Sequence, residues 1–392
     1  MLIYSCLSTY RSYKDRYKMF ASMCNYGAKV RIIIFHDDHP AAETLPQGLE
    51  QLVIPRGTRF LTRRKYIKQH LNNLPDDEPV VLHDTFVAEM ALHRRHRLTL
   101  KRAENIRNVL SLYAATSDFL FAGHWLGKTK DSRVGLREWP YYLKKHGLVV
   151  MSEIISCQLV DKIVGNSMSV VNSLKKYYHI SPQRLHCIAS EVDTDFYCPG
   201  PAKKGELGLP EGQKIILYAG PYQRLKGIDI ILKAFDIYAR KNKNVRLVMV
   251  GEINDTGHCW FGELLESLPS RSRIEIREKV FPQVLRDIYR SCDMFVTASY
   301  HEGSPRVVKE AIACGLPVVA SKIEGNLAID PNEKSLVLVK DWNPQSYADM
   351  FEKVIEDDDF RRARIEAGLK AAQNLSPDMV AQRYMELYKS LF

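Results

Sequence analysis

From residue 214 onward the chain alternates between two hydrophobic periods, and this alternation restricts the fold more than any other feature. Near-continuous apolar runs at Lys214–Ala219, Val245–Val250, Arg273–Ile276, Met294–Ala298, Pro317–Ala320 and Ser335–Val339 are separated by stretches with helical spacing: Gly227–Arg240, Pro282–Cys292, Pro305–Cys314 and Pro344–Glu356. A strand apolar on both faces must be covered on both faces. A helix between successive strands therefore predicts a parallel sheet clothed on either side. The tail, Phe360–Phe392, carries helical spacing throughout.

The first half repeats the theme less regularly. Leu2–Ser5, Val30–Phe35, Pro79–Leu82, Asn108–Tyr113 and Lys162–Val164 read as strands, Asp15–Asn25 as a helix, and Arg56–Leu71 and His93–Arg107 as basic helical stretches. Cys198-Pro-Gly-Pro201 interrupts every period and reads as a linker. The expected architecture is α/β: two Rossmann-like domains with parallel sheets facing across a cleft. Residues 1–198 form the first domain and 199–375 the second, with a last helix, about 376–392, returning to the first. At 392 residues, two domains also fit the usual domain size.

Composition narrows the function classes. No stretch approaches the ~18 apolar residues of a spanning helix, and the polar turn of MLIYSCLSTYRSYKD argues against a secretory signal. None of the eight cysteines forms a C-x-x-C pair, which suits free thiols in a reducing cytoplasm. Of the +10 net charge, residues 1–200 carry +9 (28 Lys and Arg against 19 Asp and Glu). That asymmetry points the first half at an anionic partner. No nucleic-acid-binding motif or aromatic interleaving accompanies it, so a basic nucleic-acid-binding protein is a remote alternative. No G-x-G-x-x-G follows Leu2–Ser5, which disfavours a dehydrogenase.

The chemistry concentrates in two loops. Tyr300-His-Glu302-Gly-Ser304-Pro305-Arg306-Val307 follows a strand and opens a helix. Ser304 suits an N-cap and Pro305 a first helical position. The Arg306 and Val307 amides would then favour a phosphate, and Glu310, leaning back toward the helix start, would border the same ligand as Glu302. The competing structural reading is a capped amphipathic helix with two solvated glutamates. The second loop, Gly220-Pro-Tyr-Gln-Arg224-Leu-Lys226-Gly, leaves its strand at Gly220 and carries two cations at the sheet edge, where a diphosphate would lie. Both loops fall at carboxyl ends of strands of one sheet. No His/Cys cluster has metal-ligand spacing.

Residues 214–325 resemble the carboxyl-terminal domain of family 4 glycosyltransferases, which have the GT-B fold. Glu302 and Glu310, with seven residues between them, match that family's E-x7-E motif. Gly315-Leu-Pro317-Val-Val-Ala matches the strand after it, Glu324-Gly325-Asn its glycine turn and Arg224-x-Lys226-Gly its phosphate-binding pair. The resemblance implies a retaining transfer of sugar from a nucleoside-diphosphate sugar, without metal or other cofactor. Arg224, Lys226 and Glu302 would be catalytic. Gly220, Ser304, Pro305, Arg306, Val307 and Glu310 would bind the donor, with Val280 near its base. Asp161–Ser167 and Ser190–Phe196 are similar to the family's first-domain signatures. The loop Leu7–Tyr13 lacks the usual glycine pair, and Val109-Leu-Ser-Leu-Tyr113 lacks the usual histidine. His83, Asp84 and Tyr113 are the candidates for lining the cleft. A sugar-nucleotide epimerase or phosphorylase of the same fold is the alternative. The expected acceptor is an anionic or lipid-linked glycan. Arg56–Lys68, with cations beside Phe60, Leu61, Tyr66 and Ile67, is the candidate for peripheral contact with an anionic membrane.

Overall fold

The computed structural model describes residues 1–6, 14–35, 49–54, 71, 73–75, 77–83, 105–112, 151, 153–252 and 258–392. The chain divides into two compact units, Met1–Glu191 with Pro377–Phe392, and Val192–Ser376.

In the first unit β1 (Leu2–Cys6), β2 (Lys29–Phe35), β3 (Leu49–Ile54), β4 (Val80–His83), β5 (Ile106–Leu112), β6 (Lys162–Gly165) and β7 (Leu185–Cys187) form one parallel sheet in the order β3-β2-β1-β4-β5-β6-β7. Helix α1 (Lys14–Asn25) packs Phe20 and Met23 against Ile3, Val30 and Val81, and α2 (Met168–Tyr177) buries Val170 and Leu174 over β6. Ser167 caps α2, its hydroxyl accepting from the Val170 amide.

The second unit holds β8 (Lys214–Ala219), α3 (Ile228–Lys241), β9 (Val245–Gly251), α4 (His258–Glu266), β10 (Ile274–Glu278), α5 (Pro282–Ser291), β11 (Met294–Thr297), α6 (Arg306–Ala313), β12 (Val318–Ser321), α7 (Glu324–Leu327), β13 (Leu336–Val339), α8 (Pro344–Glu356) and α9 (Asp358–Gln373). Its parallel sheet runs β10-β9-β8-β11-β12-β13, the dinucleotide-fold order. The order reverses between β8 and β11. There, successive crossovers leave on opposite faces and open a crevice at the strands' carboxyl ends. Strands β8, β9, β11 and β12 are almost wholly buried, as their apolar runs require.

The last helix, α10 (Pro377–Lys389), belongs to the first unit. It lays Val380, Ala381, Tyr384 and Tyr388 into the core around α1 and β1. The unit boundary at residues 191–192 precedes the expected one at 198 because residues 192–204 are strapped to the second unit. The Val192 amide donates to the Leu375 carbonyl (2.9 Å), Arg290 Nε to the Cys198 carbonyl (2.7 Å) and the Lys203 amide to Ser291 Oγ (2.9 Å). Pro199-Gly-Pro201 is thus part of a docked strap, and Arg290 so crowds Gly200 that a Cβ there would lie 2.8 Å from its guanidinium carbon. Among the described residues no helix is long and apolar enough to cross a membrane, and Cys24, Cys157, Cys187, Cys198, Cys292 and Cys314 are free thiols.

Candidate functional site

Three loops meet at the carboxyl edge of the second sheet, at its reversal point. The loop after β8 enters α3 through Gly227, whose φ of 64° suits glycine and whose Cβ position would lie 2.2 Å from the Ala298 carbonyl oxygen. The loop after β11 therefore rides directly on Gly227. The Tyr300 amide donating to the Leu225 carbonyl (3.0 Å) adds a second tie. From the far side α7 closes in at Gly325, where a Cβ would stand 2.3 Å from the Glu302 carbonyl oxygen. Below, Ser321 Oγ donates to the Ser299 carbonyl (2.5 Å) and Asn326 Nδ2 to the Ser321 carbonyl (2.8 Å).

This frame joins two side chains from different loops. Lys226 Nζ lies 2.6 Å from Glu302 Oε1, with both side chains about one-fifth exposed. Ser299 Oγ donates to the same oxygen at 2.9 Å and shares a hydrogen bond with Thr297 Oγ1 at 3.2 Å. Both fixed donors converge on Oε1. Arg224, on the same loop as Lys226, has its guanidinium carbon 4.8 Å from the centre of the Trp260 ring. Gly220, at φ 148°, leaves β8 with its amide bonded to the Val250 carbonyl (2.9 Å).

The second glutamate has a different environment. Glu310 is buried in α6 and accepts from the Tyr289 hydroxyl through Oε2 (3.1 Å), while Arg306 Nε stands 3.8 Å from Oε1. Burial, and then the Glu310 carboxylate, push the Tyr289 hydroxyl well above the ordinary tyrosine range, so it stays a donor. Of the two glutamates, Glu302 is half-buried and Glu310 buried, which rules out the competing picture of two solvated glutamates. The helix start also differs. Pro305, with ψ 117°, is the cap, no side chain caps it, and α6 begins at Arg306 rather than at Pro305 behind a Ser304 cap. Proline's fixed φ is helical, but its ψ keeps the chain extended for one residue more. Arg306 is exposed and Val307 half-buried on the first turn, and Val280 is half-buried where β10 exits.

In the first unit His83 is a core residue, not a cleft residue. It is fully buried at the end of β4, with Nδ1 hydrogen-bonded to the Tyr388 hydroxyl and Nε2 3.0 Å from Ser111 Oγ. Ser111 Oγ in turn lies 2.9 Å from the Tyr384 hydroxyl. The histidine thus ties β4 and β5 to α10. Asp84, Tyr113, the loop 7–13 and the basic segment 56–68 lie outside the described residues. Among the described residues no group of three or more His, Cys, Asp or Glu side chains could hold a metal ion. Asp193-Thr-Asp195 has D-x-D spacing, but Asp193 Oδ1 accepts from the Asp195 and Phe196 amides (both 3.2 Å) and so shapes a turn.

Residues 201–371 match the family model described as glycosyl transferases group 1. The matched stretch lies within the second unit. The chain is 31% identical over 278 residues to a D-inositol 3-phosphate glycosyltransferase of Xylanimonas cellulosilytica, covering 68% of this chain and 64% of that protein. It is 30% identical over 234 residues to one of Segniliparus rotundus, covering 59% and 52%. It thus spans between half and two-thirds of the length of these relatives. Anabaena HepE, solved with UDP-glucose, superposes over the full length of both chains with a TM-score of 0.69 at 15% identity. The sucrose-phosphate synthase of Thermosynechococcus elongatus does so over 100% and 99% with 0.70 at 16%. At these identities the likeness establishes the fold, two parallel-sheet α/β domains of GT-B type. Trp260, Ser299 and Tyr289 belong to none of the motifs that mark the site in sequence. The spacing of Cys259-Trp-Phe with Leu264-Leu265 was the available signal for α4.

Proposed function

We propose that this protein is a retaining, family 4 glycosyltransferase that moves a sugar from a nucleoside-diphosphate sugar to a hydroxyl acceptor without metal. The observation that carries this reading is the Lys226–Glu302 pair at the sheet's reversal point, framed by Gly227 and Gly325. In such a reaction the nucleoside diphosphate departs as negative charge builds on its outer phosphate. Arg224 and Lys226 are the fixed cations that absorb it, the main catalytic lever at such a site. Lys226 Nζ holds one Glu302 oxygen and keeps its remaining protons for phosphate. Glu302 Oε2 accepts from a sugar hydroxyl, which orients the ring for attack. The first amides of α6 add their dipole to the phosphate side. Glu310, held by Tyr289, accepts from ribose. The acceptor hydroxyl attacks on the face the nucleotide leaves, and its proton passes to the departing phosphate oxygen.

The relatives' name supports a phosphorylated polyol, D-inositol 3-phosphate, as the first acceptor to try. The +9 balance of residues 1–200 also favours an anionic acceptor or surface. The test is nucleoside-diphosphate release from UDP-, GDP- and ADP-sugars with and without acceptor, with the product's anomeric configuration read by NMR. Acceptor-dependent release with a retained configuration is expected. Release that ignores acceptor, or a configuration that inverts, would overturn the reading and favour another chemistry on the same fold. Surface attachment is tested by co-sedimentation with neutral and anionic vesicles at two salt concentrations. Binding that needs anionic lipid, weakens with salt and falls when Arg63, Arg64 and Lys65 become Ser is expected. Equal recovery in the supernatant with both lipids leaves a freely diffusing anionic acceptor.

A further inference from the structure

The phosphate-side loop has an aromatic support that no motif of this chain encodes. Gln223 is extended (φ −122°, ψ 146°), so its neighbours Tyr222 and Arg224 leave the backbone on one face. Both meet α4, and they meet adjacent residues of it. The Phe261 ring stacks on Tyr222, with centroids 5.0 Å apart and planes at 5°, and the half-buried Trp260 lies under the Arg224 guanidinium at 4.8 Å. The two α4 rings stand at 80° to one another, so each presents its own face to its own partner. The anchoring half is fixed from below. Tyr222 and Phe261 are 1% and 2% exposed, and the Tyr222 hydroxyl is 2.9 Å from the Met249 carbonyl and 3.0 Å from that of Arg277, on β9 and β10. The loop therefore cannot slide along α4, and Trp260 meets Arg224 in a set register.

We propose that Trp260 is a positioning residue for Arg224. Its ring backs the guanidinium from one side and restricts its rotamers, so that Arg224 meets the diphosphate from a set position. A guanidinium on a long side chain otherwise samples many rotamers, and fixing it before the ligand arrives removes that ordering cost from binding. Trp is the side chain with the strongest attraction for a cation on its face. The inference rests on the donor-site reading above, because it assigns the guanidinium a phosphate.

The experiment is a double-mutant cycle read by calorimetric titration with UDP, GDP and ADP. The proteins are wild type, Trp260→Leu, Trp260→Phe, Arg224→Ala and the Trp260→Leu/Arg224→Ala double variant, and thermal melts check that each is folded. Trp260→Leu should weaken the preferred nucleotide about three- to tenfold, the size of a partly desolvated cation–π contact. Trp260→Phe should recover most of that loss. In the Arg224→Ala background Trp260→Leu should change affinity less than twofold, a non-additivity that a merely structural tryptophan would not show. If the leucine variant melts too low to titrate, Trp260→Met, which fills space without a π face, replaces it. Wild-type affinity in Trp260→Leu, or an equal loss in both backgrounds, would overturn the inference while leaving the donor site standing. Wild-type protein that binds none of the three nucleotides would overturn the donor-site reading and the inference with it.

Discussion

Replacing Gly325 by alanine should displace Glu302 without touching any side chain of the candidate site. The added Cβ would stand 2.3 Å from the Glu302 carbonyl oxygen, 2.8 Å from its carbon and 2.9 Å from the Gly303 oxygen, whereas ordinary contact begins at 3.4 Å. All three neighbours are backbone, so no rotamer change relieves the clash and the loop must retreat by about 1 Å. That distance is comparable to the slack in the Lys226–Glu302 contact, 2.6 Å as it stands. A displacement of this size at a reacting centre costs on the order of 10²-fold in rate. Overpacking costs about 1–3 kcal/mol of stability, a shift of a few degrees in melting temperature. The assay pairs turnover, measured as acceptor-dependent nucleotide release, with a thermal melt. Gly262→Ala is the control, since Gly262 lies inside α4 with nothing within 4 Å of its Cβ position. It should leave turnover unchanged and stabilise by about 0.5–1 kcal/mol. Gly325→Ala with wild-type turnover and an unshifted melt would refute the claim that this glycine sets the position of Glu302.

Lys226→Ala should lower turnover about 10²- to 10³-fold, the usual cost of one charge-stabilising donor, with a melting temperature within a few degrees of wild type. Full turnover in that variant would remove Lys226 from the chemistry. Turnover should survive EDTA, because fixed cations carry the charge that Mg²⁺ would otherwise carry; loss on chelation, restored by Mg²⁺ or Mn²⁺, would contradict that. Asp236, buried in α3, is pushed up by burial, but hydrogen bonds from Ser270 and the ion pair with Arg240 outweigh this and leave it below its usual 3.8. A carboxyl lowered on folding stabilises above its unfolded value and loses that contribution as pH falls through the folded one. Asp236→Asn should therefore lower the melting temperature at pH 7 and flatten the decline of stability below about pH 4, as acid melts of both proteins would register.

The second sheet was readable almost to the residue because all its inner strands are buried on both faces, and such strands announce themselves as apolar runs. Lys214–Ala219 and Pro344–Glu356 fall where the spacing put them. The strands that escaped were β3 and β7, which occupy the two edges of the first sheet. An edge strand needs less apolar cover, and Leu185-His-Cys187 is too short to show a period. The tail's single helical pattern resolves into α9 and α10 on either side of Pro377, a residue that suits a helix start and not a helix interior. The break sends one helix to each unit.

The site was legible where chemistry is local and illegible where it depends on folding distant residues together. Lys226 and Glu302 stand out in sequence as a cation beside a glycine and a carboxylate before a helix, and the fold brings them within 2.6 Å. His83, at a strand end beside Asp84, could be read from sequence either as a cleft residue or as half of a local hydrogen-bonded pair. Its partners are Ser111, 28 residues on, and Tyr388, 305 residues on in the last helix. A polar side chain at a strand end is ambiguous until its hydrogen bonds are known, since burial without a partner is costly and burial with one is ordinary. The same logic runs in reverse for Glu310. Its motif spacing placed it beside the ligand, and in the fold α6 buries it and Tyr289 from α5 donates to one of its oxygens. Glu302 is ion-paired with Lys226, the cation assigned to the departing phosphate, whereas Glu310 is buried in α6 and held by a neutral tyrosine. The two should differ accordingly. Replacing Glu302 should act mainly on turnover, and replacing Glu310 mainly on nucleotide affinity.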